Sequence, residues 1–212
     1  MTIRPAAAAA VPARGDLRPL WRATAIAAVA FLLASFADKA LFDLIDDPKV
    51  YERDWGRLLR VMGFLGTWVA VALAIGLQDA AAVPARPHPR RRASLLVAAP
   101  AIAGALAEVL KIVIRRERPA LHDGLHAFRP WSDRPFGGAG LSLPSSHAAV
   151  AVGGAAMLAI LFPRARWVGW TLAVGCALSR MMAHAHFASD VVLGAFVGWV
   201  VAWSLARRWP AT

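Results

Sequence analysis

A single cysteine, Cys176, rules out an intramolecular disulfide and leaves a cysteine-ligated metal without a second thiolate. It falls inside an apolar block, where a small packing residue is expected. Charge is scarce as well. Charged residues are 17% of the 212 and apolar residues 58%, whereas a soluble domain carries about a quarter charged. Acids are the rarer sign, 13 against 24 Lys and Arg, for a net charge of +11. Only Lys39, Lys49 and Lys111 are lysine; every other basic residue is Arg. No basic stripe sits on a soluble module, so nucleic acid is not the expected partner. An anionic membrane or an anionic substrate fits the excess better. The apolar blocks also lack period-two alternation and are rich in Ala and Leu, which argues against strands and for an all-α fold. Carboxylates cluster only in the first loop, at Asp43, Asp46, Asp47, Glu52 and Asp54. They read as a solvated loop, and no metal site or other cofactor is expected.

What is present is hydrophobic and comes in blocks: 23–37, 61–77, 95–114, 148–162, 167–182 and 191–206. Several are shorter than the ~20 residues of an isolated span. Helices inside a bundle need not look like isolated anchors, so a membrane bundle of six transmembrane helices is the simplest account. Residues 1–19 read as a flexible tail and 20–208 as one membrane domain. The first block ends near Ser35-Phe36-Ala37, which resembles a signal-peptidase site. A retained first helix is preferred because five similar blocks follow. Gly194 and Gly198 form a small-xxx-small pair suited to close helix contact. Six spans put both termini on one side. Basic residues divide evenly between the two sides, so the positive-inside rule decides only if those in the motifs below are set aside as functional.

Three segments fall on one side of that arrangement. The first runs from Lys111 to Arg118-Pro119. Lys111 lies near a helix end, and helical spacing puts Arg115 and Arg118 near one face. Pro119 disfavours helix at its predecessor. Glu108, one turn before Lys111, reads as its pairing partner, and Arg115 as structurally paired. The second is Pro144-Ser145-Ser146-His147, directly before an apolar helix. Either serine suits an N-cap, and the free N–H groups of a helix start favour an anion. The third is Ser179-Arg180, with His186 and Asp190 further on. On a helix His186 and Asp190 share a face, and a carboxylate on one ring nitrogen leaves the other free to act. His184, two residues from His186, reads as supporting structure. The loop 122–143, with Trp131, Phe136 and Gly137-Gly138, suits a lid or an interfacial lip.

Together these elements resemble the type 2 phosphatidic acid phosphatase superfamily, in its membrane-bound lipid phosphatase branch. Its signature is K-x6-RP, then PSGH, then SR-x5-H-x3-D. The first and third elements match at every fixed position, in order. In the second, Ser146 stands where the family has Gly. The match covers 111–190. The resemblance implies that His186 attacks phosphorus, that Asp190 orients it, and that His147 protonates the leaving oxygen. It implies that Lys111, Arg118, Arg180, Ser145 and the backbone N–H of Ser146 hold the phosphoryl oxygens. No metal or cofactor is implied, because cations and a helix N-terminus supply the charge. The implied substrate is a lipid phosphate or pyrophosphate: undecaprenyl pyrophosphate first, then phosphatidic acid or phosphatidylglycerophosphate. The expected location is a bacterial inner (plasma) membrane, and with both termini inside the site faces the periplasm or exterior. Two other readings stand beside this one, a phosphotransferase using the same histidine and a non-catalytic lipid-binding or transport protein. The soluble vanadium haloperoxidases share the motif, and the hydrophobic blocks argue against that branch. Nothing in the sequence reads the oligomeric state.

Overall fold

The computed structural model describes residues 16–84 and 88–209; most of the expected N-terminal tail, 1–15, lies outside them. Among the described residues seven α-helices carry the fold: α1 Arg18–Leu44, α2 Asp54–Val61, α3 Leu65–Ala81, α4 Pro89–Ile114, α5 Ser146–Leu161, α6 Arg166–Met182 and α7 Ala188–Arg208. Among the described residues the only β pairing is two isolated bridges, Arg116 with Phe128 and Glu117 with Leu141. The all-α expectation holds.

Three helices, α1, α4 and α7, are each long and apolar enough to cross a membrane. A fourth candidate is the pair α2 and α3, which meet at a 72° bend. The block at 61–77 is therefore not one straight element: α2 ends at Val61, and α3 starts at Leu65 and continues to Ala81. The outward faces remain apolar. Leu33 is 66% exposed, Phe36 88% and Leu77 71%, with Ile102, Val109 and Val113 doing the same on α4. Apolar side chains exposed in this number along the candidate spans suit contact with lipid.

Helix α5 is the axis. Every residue from Ala148 to Met157 is buried, and α4, α6 and α7 pack around it. At 16 residues it is about 24 Å long, short of a ~30 Å hydrocarbon core. Protein encloses it, so its length is matched to its neighbours and not to lipid. Small residues permit this enclosure. A Cβ on Gly194 would lie 2.3 Å from the Ser145 carbonyl oxygen, and one on Gly198 2.4 Å from that of Ala149. The small-xxx-small pair thus presses α7 directly onto the α5 backbone. On the far side of α5, Gly154 leaves the space that the buried Trp68 ring of α3 fills.

Helix α4 stops at Arg115, which takes a left-handed conformation at φ 62° and donates its N–H back to the Lys111 carbonyl. Arg118 is then extended before Pro119, as the proline demands. The segment between α4 and α5 is irregular but tightly held. Arg115 donates through Nε to the Arg129 carbonyl at 3.0 Å, and through its other nitrogens to the carbonyls of Pro130 and Pro135 at 3.0 and 2.8 Å. Arg129 donates to Glu117 Oε1 and the Ala139 carbonyl, each at 2.9 Å. Bonds from His122 and then Arg129 hold the Glu117 carboxyl below its ordinary value. Trp131 and Phe136 stay exposed at the tip.

Candidate active site

The three motifs converge where the C-terminal ends of α4 and α6 meet the N-terminal ends of α5 and α7. Lys111, in the last turn of α4, is 5% exposed. Its Nζ lies 2.8 Å from Glu108 Oε1, the expected pairing, and donates to Ser146 Oγ at 3.0 Å. Ser146 therefore uses the hydroxyl that a glycine would lack to tie the first motif to the second. Ser145 caps α5: its Oγ accepts the Ala148 N–H at 3.4 Å. Its own N–H donates to the Asp190 carbonyl at 2.9 Å, which ties the second motif to the third.

Arg118 and Arg180 face the same space. Each has a buried Nε without an acceptor among the described residues. Burial, and then the neighbouring Arg180 guanidinium, push Arg118 below its ordinary value. Lys111 is within electrostatic reach of both arginines. Buried cations held this close repel one another, and such a cluster is stable only where an anion is its partner.

His186 is 3% exposed and sits in the turn between α6 and α7. It is not on the helix, so the expected helical pairing with Asp190 is corrected: Asp190 is the third residue of α7, and the histidine approaches it from the preceding loop. Their Nδ1 to Oδ2 distance is 3.6 Å, longer than a hydrogen bond, and Nδ1 has no acceptor among the described residues. Such contacts commonly tighten only when substrate binds. Burial pushes His186 down to about 4, Asp190 opposing and Arg180 and Lys111 assisting, so the imidazole is neutral at ordinary pH. His147 stands in the first turn of α5 against Gly63, where a Cβ would come 2.6 Å from the histidine's own Cβ. The turn between α2 and α3 thus depends on glycine to admit His147. Gly63→Ala is expected to displace the ring and lower turnover on the order of a hundredfold, read as phosphate release by folded protein.

The shared face expected for Arg115 and Arg118 is a second correction. The left-handed turn at Arg115 sends its guanidinium into the carbonyl cage described above, away from Arg118. His184 also supports rather than reacts: its ring stacks near Phe42 at 4.1 Å and lies 3.5 Å from Asp46. Two contributors outside the motifs were not anticipated. Tyr51 donates its hydroxyl hydrogen to the Ser179 carbonyl and accepts from Arg180 Nη1, both at 2.9 Å. Arg60 stacks over the same ring, 5.0 Å from its centre. Tyr51 is the chain's only tyrosine, the one hint the sequence offered. Beside the site a groove of about 270 Å³ runs between α4 and α5, lined by Pro100, Gly104, Glu108, Ser146, His147 and Val150 among others. A larger groove, about 670 Å³, lies at the far end of the bundle around Trp203 and Arg208 and shares no residue with the motifs.

The chain belongs to the PAP2 superfamily, whose family model matches residues 92–211, more than half of it. It is similar to two curated proteins, each named Lipid A 1-phosphatase. That of Rhizobium etli is 40% identical over 99 residues, covering 45% of this chain and 41% of the relative. That of Rhizobium johnstonii is 39% identical over 99 residues, covering 45% of this chain and 39% of the relative. The aligned region is thus about two fifths of each relative's length. No solved structure matches the chain.

Proposed function

We propose that the protein is a membrane lipid phosphatase that works through a phosphohistidine on His186. The observation that carries this is a pair of neighbouring buried arginines, each with an Nε that lacks an acceptor among the described residues, one of them within electrostatic reach of the buried His186. Positioning and charge stabilisation are what phosphoryl transfer requires. His186 Nε2 attacks phosphorus, and the bond from phosphorus to the leaving oxygen breaks. That oxygen takes its proton from His147. Water then attacks the phosphohistidine and gives a proton to His147; the P–N bond breaks, its electron pair returns to His186, and inorganic phosphate leaves. Lys111, Arg118 and Arg180 hold the phosphoryl oxygens, with Ser145, Ser146 and the α5 N-terminus completing the cradle. Asp190 orients the nucleophile.

The groove beside Ser146 and His147 supports a substrate with a chain lying in the bilayer. The name carried by both relatives puts lipid A first among the substrates to try, ahead of undecaprenyl pyrophosphate, phosphatidic acid and phosphatidylglycerophosphate. In this reading α5 and α6 count as spans inside the bundle, giving six, and the site faces the periplasm of a bacterial inner membrane.

The test is a rapid base quench of purified protein, with EDTA present, after mixing with each lipid labelled at the phosphate. Acid-labile, base-stable label on His186 is expected. Phosphate release with label on another residue, or on none, overturns the assignment. The pH dependence is a separate check. A nucleophile with its value pushed down to about 4 stays unprotonated above that pH. The rate of labelling is therefore expected to hold as pH falls through 6.5 and to drop only near 4. A drop centred near 6.5 would show a histidine that titrates like one in water.

A further inference from the structure

Asp38 lies in α1, more than seventy residues before the first motif, yet it is 2% exposed and is the buried residue of that helix. A carboxylate in such a place is costly unless it is paired and used. Its Oδ1 accepts the Ser189 backbone N–H at 3.0 Å, and its Oδ2 accepts the Ser189 hydroxyl. His126 Nε2 lies 2.9 Å from Oδ2, and Arg116 Nη1 3.8 Å from it. Arg116 is 3% exposed and faces the other way as well. Its Nε donates to Asp190 Oδ1 at 3.1 Å, and its Nη2 donates to that same oxygen and to Ser189 Oγ. The guanidinium lies 5.0 Å over the Phe187 ring, directly after His186 in the chain. A continuous buried chain of charge thus runs from α1 through Arg116 to the carboxylate behind the histidine.

The charges decide what this chain does. Asp190 assists His186 only if negative charge faces the imidazole as it becomes cationic on bonding to phosphorus. Arg116 alone would cancel that charge, since it takes one oxygen of Asp190 with two nitrogens. With Asp38 on its other side, two carboxylates share one guanidinium, so Asp38, Arg116 and Asp190 together carry one net negative charge. We propose that Asp38 is a positioning residue for His186: it anchors Arg116 and restores to Asp190 the negative charge that Arg116 would otherwise neutralise. This rests on the reading of His186 as nucleophile.

The test uses the full chain in detergent, with labelled lipid A and labelled phosphatidic acid in mixed micelles. Asp38→Asn leaves Arg116 and Asp190 as a neutral pair, so the fold is expected to survive. Labelling of His186 and kcat are expected to fall about tenfold to a hundredfold, as for other partners that sit behind a working histidine, with KM within about twofold. The double variant Asp38→Asn/Arg116→Gln removes the cancelling cation and is expected to label faster than Asp38→Asn alone. A merely structural role predicts the opposite, loss upon loss. Labelling of Asp38→Asn at the wild-type rate, or a double variant slower than the single, overturns the proposal. If Asp38→Asn does not fold, Ser189→Ala replaces it, because it cuts the hydroxyl tie and keeps all three charges. Slower labelling at unchanged KM is then expected, and wild-type labelling overturns the proposal. No label on wild-type protein overturns the nucleophile assignment itself, and this inference with it.

Discussion

Replacing His186 with alanine is expected to abolish phosphate release, a loss of more than about a thousandfold in kcat, while the protein stays folded. The size of the effect follows from the absence of a substitute. Among the described residues the other histidine in the cradle is His147, and its ring is held at the α2–α3 turn by Gly63. Cys176 is buried in the contact between α5 and α6, and Ser145 is committed to capping α5. Water could still attack a phosphate held by three cations, but it would lack the covalent intermediate that splits one hard step into two. Folding should survive, since His186 makes no hydrogen bond through Nδ1 and removing it unpairs only Asp190, which keeps Arg116 and the Phe187 N–H. Turnover by His186→Ala within tenfold of wild type would place the nucleophile elsewhere.

Arg180→Ala is expected to cost about a hundredfold to a thousandfold in kcat, the range for removing one donor that meets developing charge in a closed site. Arg180→Lys should recover only part of this. An ammonium cannot offer two parallel donors, and it cannot reach phosphate and Tyr51 together. The tyrosine also separates charge from geometry. Tyr51→Phe keeps the cation but removes the 2.9 Å acceptor for Nη1, so a loss of about tenfold is expected without loss of binding. Equal turnover by Arg180→Lys and wild type would show that the residue supplies charge alone.

Much of this was legible in the sequence because short-range rules govern it. The helical class, a serine cap before His147, the extended residue before Pro119 and the Lys111–Glu108 pair all follow from neighbours within about one turn. The tight seam between α5 and α7 was visible as Gly194 and Gly198, although the sequence did not say which helix they meet. The left-handed turn at Arg115 was not legible, since arginine has no preference for positive φ. It is held by carbonyls up to twenty residues further on. That turn is also why Arg115 and Arg118 part company. Asp38 and Tyr51 escaped notice because their partners lie across the bundle, at Ser189 and Arg180. The lone carboxylate after an apolar run was nevertheless a signal in its own right, one that burial rules assign to use.

The α3–α4 junction divides the molecule into two unequal contributors. The three motifs lie after it, as does all of the region matched by the family. Asp38, Tyr51 and Gly63 lie before it, on α1, the turn preceding α2 and the α2–α3 bend. The three motifs therefore come as one block, while residues that pack against them, Asp38, Tyr51 and Gly63, come from the preceding segment. A hybrid that joined this C-terminal block to foreign opening helices would carry every motif residue and is expected to lose the contacts that Asp38, Tyr51 and Gly63 make with them.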